Sequence, residues 1–220
     1  MSVDYNDFAE TFSKSRKNMK WEEIEYFIST LSWEEKIKIL DIWCGNWRFL
    51  WILKNKEIPM ENYLWVDLSK WLLTEARKNY SDNEFLELNM LDINKIKDRF
   101  THIFFVASFH HLNTIKDRKK VLKKAYNLLE DWGKIFMTNW SLNSELNKEK
   151  YCDSAMPASE NEYWSLDYIV KIGAYNRYYH CFDLKELEYL FNDGWFDIIE
   201  NREFDNKRNF VSIIQKKSEQ

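Results

Sequence analysis

Asp41, Asp67 and Asp92 each accompany a short apolar run, at intervals that would line three carboxylates along one edge of a sheet. Asp41 lies in Ile39-Leu40-Asp41-Ile42, and Trp43-Cys44-Gly45-Asn46-Trp47 follows where a cofactor-binding turn would join strand to helix. Glycines in such a turn supply φ > 0, let the backbone approach a ligand closely, and aim N–H groups at it. Asp67 closes the run 63–66 some twenty residues further on, where an acid accepts hydrogen bonds from both hydroxyls of a ribose. Its alternative is a helix N-cap, a role that Ser69 also fits. Asp92, in Asn89-Met90-Leu91-Asp92-Ile93, would accept an adenine amino group with Met90 or Leu91 against the ring, although Asp is also common in turns. Leu68 and Ala107, which follow the second and fourth runs, complete this cofactor set.

A second group could act on a substrate. His110-His111, Arg177-Tyr178-Tyr179-His180 and Asn209 bring a cation and several donors, which suits an anionic group such as a carboxylate. Each has a plainer alternative: a buried structural histidine for His110, aromatic packing for Tyr178 and Tyr179, a surface cation for Arg177.

The elements that must position these residues alternate β and α. Apolar spacing through Phe8, Phe12, Ile24, Phe27, Ile28 and Leu31 gives two N-terminal helices within residues 1–35. Strands follow at 37–42, 63–66, 84–88, 102–107 and 134–139, with helices at 48–54, 70–79, near 93–98 and at 115–129. Alternation of this kind predicts a mostly parallel sheet with helices on both faces. Residues 141–181 break the rhythm and read as an insertion over the cofactor mouth. A closing helix at 183–191 and strands at 196–200 and 209–215 predict a final antiparallel hairpin. At 220 residues the chain reads as one domain.

A net charge of −4 excludes a globally basic nucleic-acid binder. Two local runs are nonetheless basic, at 13–20 and 116–124, the second also readable as a solvated helix face. No apolar run is long enough for a transmembrane helix, and Met1–Asp7 does not begin a signal peptide. Cys44, Cys152 and Cys181 lack metal-like spacing and read as reduced thiols of a cytoplasmic protein, with no metal expected.

The composition holds 11 Trp and only 4 Gly, where average usage gives about 15 Gly in a chain of this length. With glycine at 43 and 47 the first loop becomes I-L-D-I-G-C-G-N-G-R-F-L, which resembles the loop of class I S-adenosylmethionine (SAM) methyltransferases. Trp65, Trp132 and Trp195 likewise stand where that family carries glycine or alanine, and Trp33, Trp51, Trp71 and Trp164 lie at turn or helix-start positions. Trp21 and Trp140 fall where the most similar family has tryptophan. The pattern implies a gene in which a stop codon is read as glycine. The alternative is an aromatic-rich chain whose tryptophans are core.

The segments F-S-K-S-R (12–16), S-F-H-H-L (108–112), N-W-S (139–141), R-Y-Y-H-C-F (177–182) and R-N-F-V-S-I-I-Q (208–215) resemble the tRNA methyltransferases that esterify 5-carboxymethyluridine at the wobble position. That family includes the methyltransferase part of the AlkB-type fusion protein. The resemblance covers nearly the whole chain, with Ser15 and Arg208-Asn209-Phe210 as departures from its pattern. It implies a Rossmann-like fold with a seven-stranded, mostly parallel sheet. It also implies SAM as cofactor, the anticodon loop of a tRNA as partner, and a small activator subunit as a further partner. The cofactor set is then Arg16, Asp41, Trp43, Cys44, Gly45, Asn46, Trp47, Asp67, Leu68, Leu91, Asp92 and Ala107. The substrate set is His111, Arg177, Tyr178, His180 and Asn209. Arg16 could reach either the SAM carboxylate or an RNA phosphate. Two alternatives stand beside this reading: a small-molecule O- or C-methyltransferase, and a non-catalytic partner subunit suggested by the literal tryptophans.

Overall fold

The computed structural model describes residues 21–31, 37–43, 45, 48–58, 62–157, 163–172 and 175–217. The expectations placed on Phe8, Phe12, Arg16, Trp33, Cys44, Asn46 and Trp47 lie outside the described residues.

Seven strands form one sheet in the order β3-β2-β1-β4-β5-β10-β9. They are β1 (Ile39–Ile42), β2 (Tyr63–Asp67), β3 (Glu84–Glu87), β4 (Phe100–Val106), β5 (Leu129–Trp140), β9 (Phe196–Glu203) and β10 (Asn209–Lys216). The first five run parallel to their neighbours, and β10 lies antiparallel between β5 and β9. This is the Rossmann-like, mostly parallel sheet with an antiparallel final strand that the sequence predicts.

Alternating side chains give the sheet two packed faces. Leu40, Ile42, Ile103, Phe105, Ile135 and Met137 belong to one core with Val121, Leu122 and Leu190. Ile39, Trp65, Phe104 and Phe136 belong to the other with Phe27, Leu50, Leu53 and Leu73. Helices Glu22–Ser29 (α1), Arg48–Asn55 (α2) and Lys70–Asn79 (α3) cover the second face, while Ile115–Leu128 (α4) and Leu184–Asp193 (α6) cover the first. Of the basic run on α4, Lys116, Lys120 and Lys123 are exposed, the solvated face of an amphipathic helix, but Arg118 is buried.

The structure departs from the sequence reading most at three places, beyond shifts of a few residues at other strand ends. Residues 90–95 form a 3₁₀ turn rather than a helix at 93–98, because Asn89 Oδ1 accepts the Leu91 N–H at 2.9 Å and starts the turn early. Strand β5 begins at Leu129, five residues before the predicted 134. Trp51 sits inside α2, 58% exposed, and not at a helix start.

Between β5 and α6 the chain forms helix α5 (Lys148–Tyr151) and a second, antiparallel sheet of β6 (Ala155–Pro157), β7 (Leu166–Ile172) and β8 (Tyr175–Cys181). Strand β8 packs against the short turn Phe109–His111 that follows β4. Tyr168, Tyr179 and Cys181 form its own small core with Leu142. Among the described residues no helix is long and apolar enough to cross a membrane.

Candidate cofactor and substrate site

The strand order reverses between β1 and β4, so their carboxyl ends diverge and open the crevice where open α/β sheets bind ligands. Asp67, at the end of β2, is buried beside it. Its Oδ2 accepts the Gly45 N–H at 2.8 Å and its Oδ1 accepts the Ser69 N–H at 2.8 Å. The next helix takes its N-cap from Ser69, whose hydroxyl accepts the Leu72 N–H at 3.3 Å, so Asp67 is not the cap. Burial pushes the Asp67 carboxyl up, opposed by the N–H groups of Ser69 and Gly45 and by the charge of Arg177. A carboxylate has about four acceptor sites, and among the described residues the N–H groups of Gly45, Ser69 and Leu68 do not fill them, which leaves capacity for a ligand hydroxyl.

Gly45 takes φ 57°, the left-handed turn its position requires. Asp41 is buried within β1, and its charge acts on the Tyr63 phenol. Leu68 is partly exposed, and Leu91 is half-buried with its carbonyl accepting the Lys124 ammonium. Asp92 pairs with Lys95 at 3.1 Å on the surface of the 3₁₀ turn. Ala107 follows β4 at φ 50°, its N–H donated to Thr138 Oγ1 at 2.8 Å.

Trp43 disturbs this crevice. Its N–H donates to the Val66 carbonyl at 2.7 Å, its φ is 63°, and its indole lies 5.7 Å from the His111 ring. Its side chain thereby bridges from the end of β1 to the turn after β4, across the switch point. A Cβ in this backbone region costs about 1–2 kcal/mol. Trp132 and Trp195 also take φ 63°. The residues fit a nucleoside cofactor at Gly45 and Asp67 and do not fit it at position 43 as written.

Strand alternation sorts the substrate candidates. Arg177 and Tyr179 share one face of β8, the Arg177 guanidinium 5.5 Å from the Tyr179 ring centre. Tyr179 stacks on Trp140 at 5.1 Å and lies 4.7 Å from His111. His111 Nδ1 donates to the Tyr178 carbonyl at 2.8 Å, which fixes its tautomer and ties β8 to the turn after β4. Arg177 and His111 therefore gather at the crevice, with Asp67 close enough to feel the arginine's charge.

Tyr178 and His180 point the other way, into a buried polar network. His180 Nδ1 meets Asp167 at 2.7 Å and its Nε2 meets Glu186 at 2.8 Å. The Tyr178 hydroxyl donates to Asp167 at 2.7 Å, and Arg118 pairs with Glu186 at 3.2 Å. Arg118 also donates to the carbonyls of Leu112 and Asn113, so one guanidinium joins α4, the turn after β4 and α6. Burial works to raise Asp167 and Glu186, yet the hydrogen bonds from His180, with those from Tyr178 and Ser165, hold both below the usual carboxylate range. Burial and the Asp167 bond push the Tyr178 phenol up. These groups position the second sheet. Asn209 lies apart, at the start of β10, its Nδ2 donating to Glu23 of α1 at 2.5 Å.

Sequence reasoning left Tyr179 between a donor and aromatic packing, and it missed Trp140 as a crevice group and Arg118, Asp167 and Glu186 as the network that aims β8. Only the period of β8, which opposes 177 and 179 to 178 and 180, could have separated the two sets.

A family model describing a methyltransferase domain matches residues 34–194. The chain belongs to this methyltransferase domain family. A protein of Encephalitozoon cuniculi whose name proposes a methyltransferase is 28% identical over 205 residues, covering 90% of this chain and 87% of that one. The fold matches an S-adenosylmethionine-dependent methyltransferase from Clostridium acetobutylicum at TM-score 0.68 and 18% identity, over 97% of this chain and 99% of that one. It also matches the 1,6-didemethyltoxoflavin-N1-methyltransferase of Burkholderia thailandensis, solved with S-adenosylhomocysteine, at TM-score 0.68 and 14% identity, over 98% and 86%. This methyltransferase thus has the fold of SAM-dependent enzymes. Among the described residues no group of His, Cys, Asp and Glu could hold a metal ion.

Proposed function

We propose that this methyltransferase uses SAM to esterify the carboxylate of a modified wobble uridine, 5-carboxymethyluridine, in the anticodon loop of a tRNA. SAM supplies a methyl activated by its own sulfonium charge. Asp67, held by the Gly45 N–H, would take the ribose hydroxyls, with Leu91 and Asp92 at the base.

The observation that carries the substrate reading is Arg177, a buried cation beside the crevice and braced on the Tyr179 ring. A carboxylate with an ordinary pKa of about 4 is already ionised at neutral pH, so the reaction asks for no general base. It asks for alignment, exclusion of water and a cationic clamp. Arg177 is suited to be that clamp, and His111 to bound the same space. The motifs R-Y-Y-H and S-F-H-H-L, which supply both residues, are also those that carry the family resemblance.

Nucleoside mass spectrometry of tRNA from cells with and without the gene tests this reading. The methyl ester should disappear on deletion and the free acid accumulate. Unchanged tRNA nucleosides would leave a small-molecule substrate, the kind that the toxoflavin enzyme's name describes.

A further inference from the structure

Beyond the crevice, a pocket of ≈ 250 Å³ opens between the end of β5, helix α5 and the start of β10. Trp140, Leu142, Lys150, Tyr151, Arg208 and Asn209 line it. The Trp140 ring is held by its stack on Tyr179 at 14° between planes, and Lys150 lies 5.0 Å from the Tyr151 ring centre. Arg208 and Lys150 are exposed at the rim. Asn209 is 5% exposed. Its Nδ2 donates to Glu23, and its Oδ1 is buried in the pocket wall with no hydrogen-bond partner among the described residues.

We infer that this pocket binds a uracil nucleotide of single-stranded RNA. Aromatic rings beside cations suit a base and its phosphate. A fixed, unsatisfied acceptor asks for a donor at the base edge: uracil presents N3–H at the centre of that edge, where cytosine has an acceptor and carries its donor only on the exocyclic N4. The inference rests on the tRNA reading only for the natural source of that nucleotide.

Binding of oligouridylate and oligocytidylate to the full chain tests it, with thermal melting as a control for folding. Oligouridylate should bind more tightly than oligocytidylate. Tyr151→Ala should weaken oligouridylate binding by roughly 5- to 150-fold, the range for losing one stacked base. Arg208→Ala should weaken both oligomers and flatten the salt dependence. Asn209→Ala should remove the preference for uridylate. Equal binding of both oligomers, or oligouridylate binding untouched by Tyr151→Ala and Arg208→Ala together, overturns the pocket. Intact, pocket-dependent binding with unchanged cellular tRNA would instead overturn the wobble-ester reading and leave the pocket standing.

A different observation carries a second inference. Six non-glycine residues among those described have positive φ, and three of the six are Trp43, Trp132 and Trp195, all at 63°. Trp132 and Trp195 are 62% and 46% exposed, so their indoles are not core. Trp21, where the related family carries tryptophan, has φ −123° and is buried. Trp65 is also buried, in an ordinary strand, and does not share this signature. The backbone assigns glycine to 43, 132 and 195 in the working protein, through a codon read as glycine in its own cell.

Peptide mass spectrometry of the protein purified from its native source decides this. Peptides covering 39–48, 130–134 and 194–197 should carry glycine masses at 43, 132 and 195. Tryptophan masses there would overturn the inference.

Discussion

Asp67 combines two requirements that rarely coincide by chance: deep burial, and backbone N–H donors on both carboxylate oxygens. Its Ala variant should lose about 1–3 kcal/mol of SAM affinity by removing charge-assisted contacts to the ribose. Calorimetry on a glycine-43 background would read this, and an unchanged affinity would refute the ribose role. Arg177 calls for a different readout. Arg177→Ala should depress methyl transfer to tRNA far more than SAM binding, whereas equal loss of both would make Arg177 a cofactor or structural residue. Asp67 was legible in the sequence as a strand-end acid because it follows the aromatic and β-branched run Tyr63–Val66. The choice between ribose acid and helix cap at 67 was not, since Asp67 and Ser69 are both suitable caps. The Ser69–Leu72 hydrogen bond separates them.

At the scale of elements, β8 is aimed by the groups behind it. Arg118, Glu186, His180, Asp167 and Tyr178 lock its rear face to α4 and α6, and this leaves Arg177 and Tyr179 facing the crevice. Removing one partner of a buried pair leaves an uncompensated charge, so Glu186→Ala should cost about 3–5 kcal/mol in chemical denaturation. A loss under 1 kcal/mol would show that the network does not hold the sheet. The same carboxylates give a pH dependence. Asp167 and Glu186 are held below their ordinary values of 3.8 and 4.5. Their contribution is therefore complete above those values and is lost as pH falls through the lower folded-state ones. Denaturation midpoints should drop on acidification below about pH 4.5, and less so in Glu186→Gln. The sequence revealed R-Y-Y-H as a unit but not its division. A strand sends neighbours to opposite faces, and nothing in 141–181 announced which residues were strand.

At the scale of the whole molecule, the β-α alternation and the closing hairpin were readable because apolar periods survive every tryptophan. Trp65 illustrates why: it sits in β2 wholly buried, stacked 5.1 Å from Tyr63 and edge-on to Phe49, where its rings add apolar area although its Nε1–H finds no acceptor among the described residues. An indole in the core adds packing area, whereas one at a left-handed turn strains the backbone that carries it. Trp43 is the point where tolerance and function conflict, because its indole spans the β1–β4 crevice that the fold provides for a ligand. Calorimetric SAM affinity of the chain as written, against its Trp43→Gly, Trp47→Gly variant, tests this most directly. The chain as written should fold with the same sheet and bind SAM poorly or not at all, and the double variant should bind it. Equal affinity in the two proteins would mean that the tryptophans are native and that the crevice accommodates them.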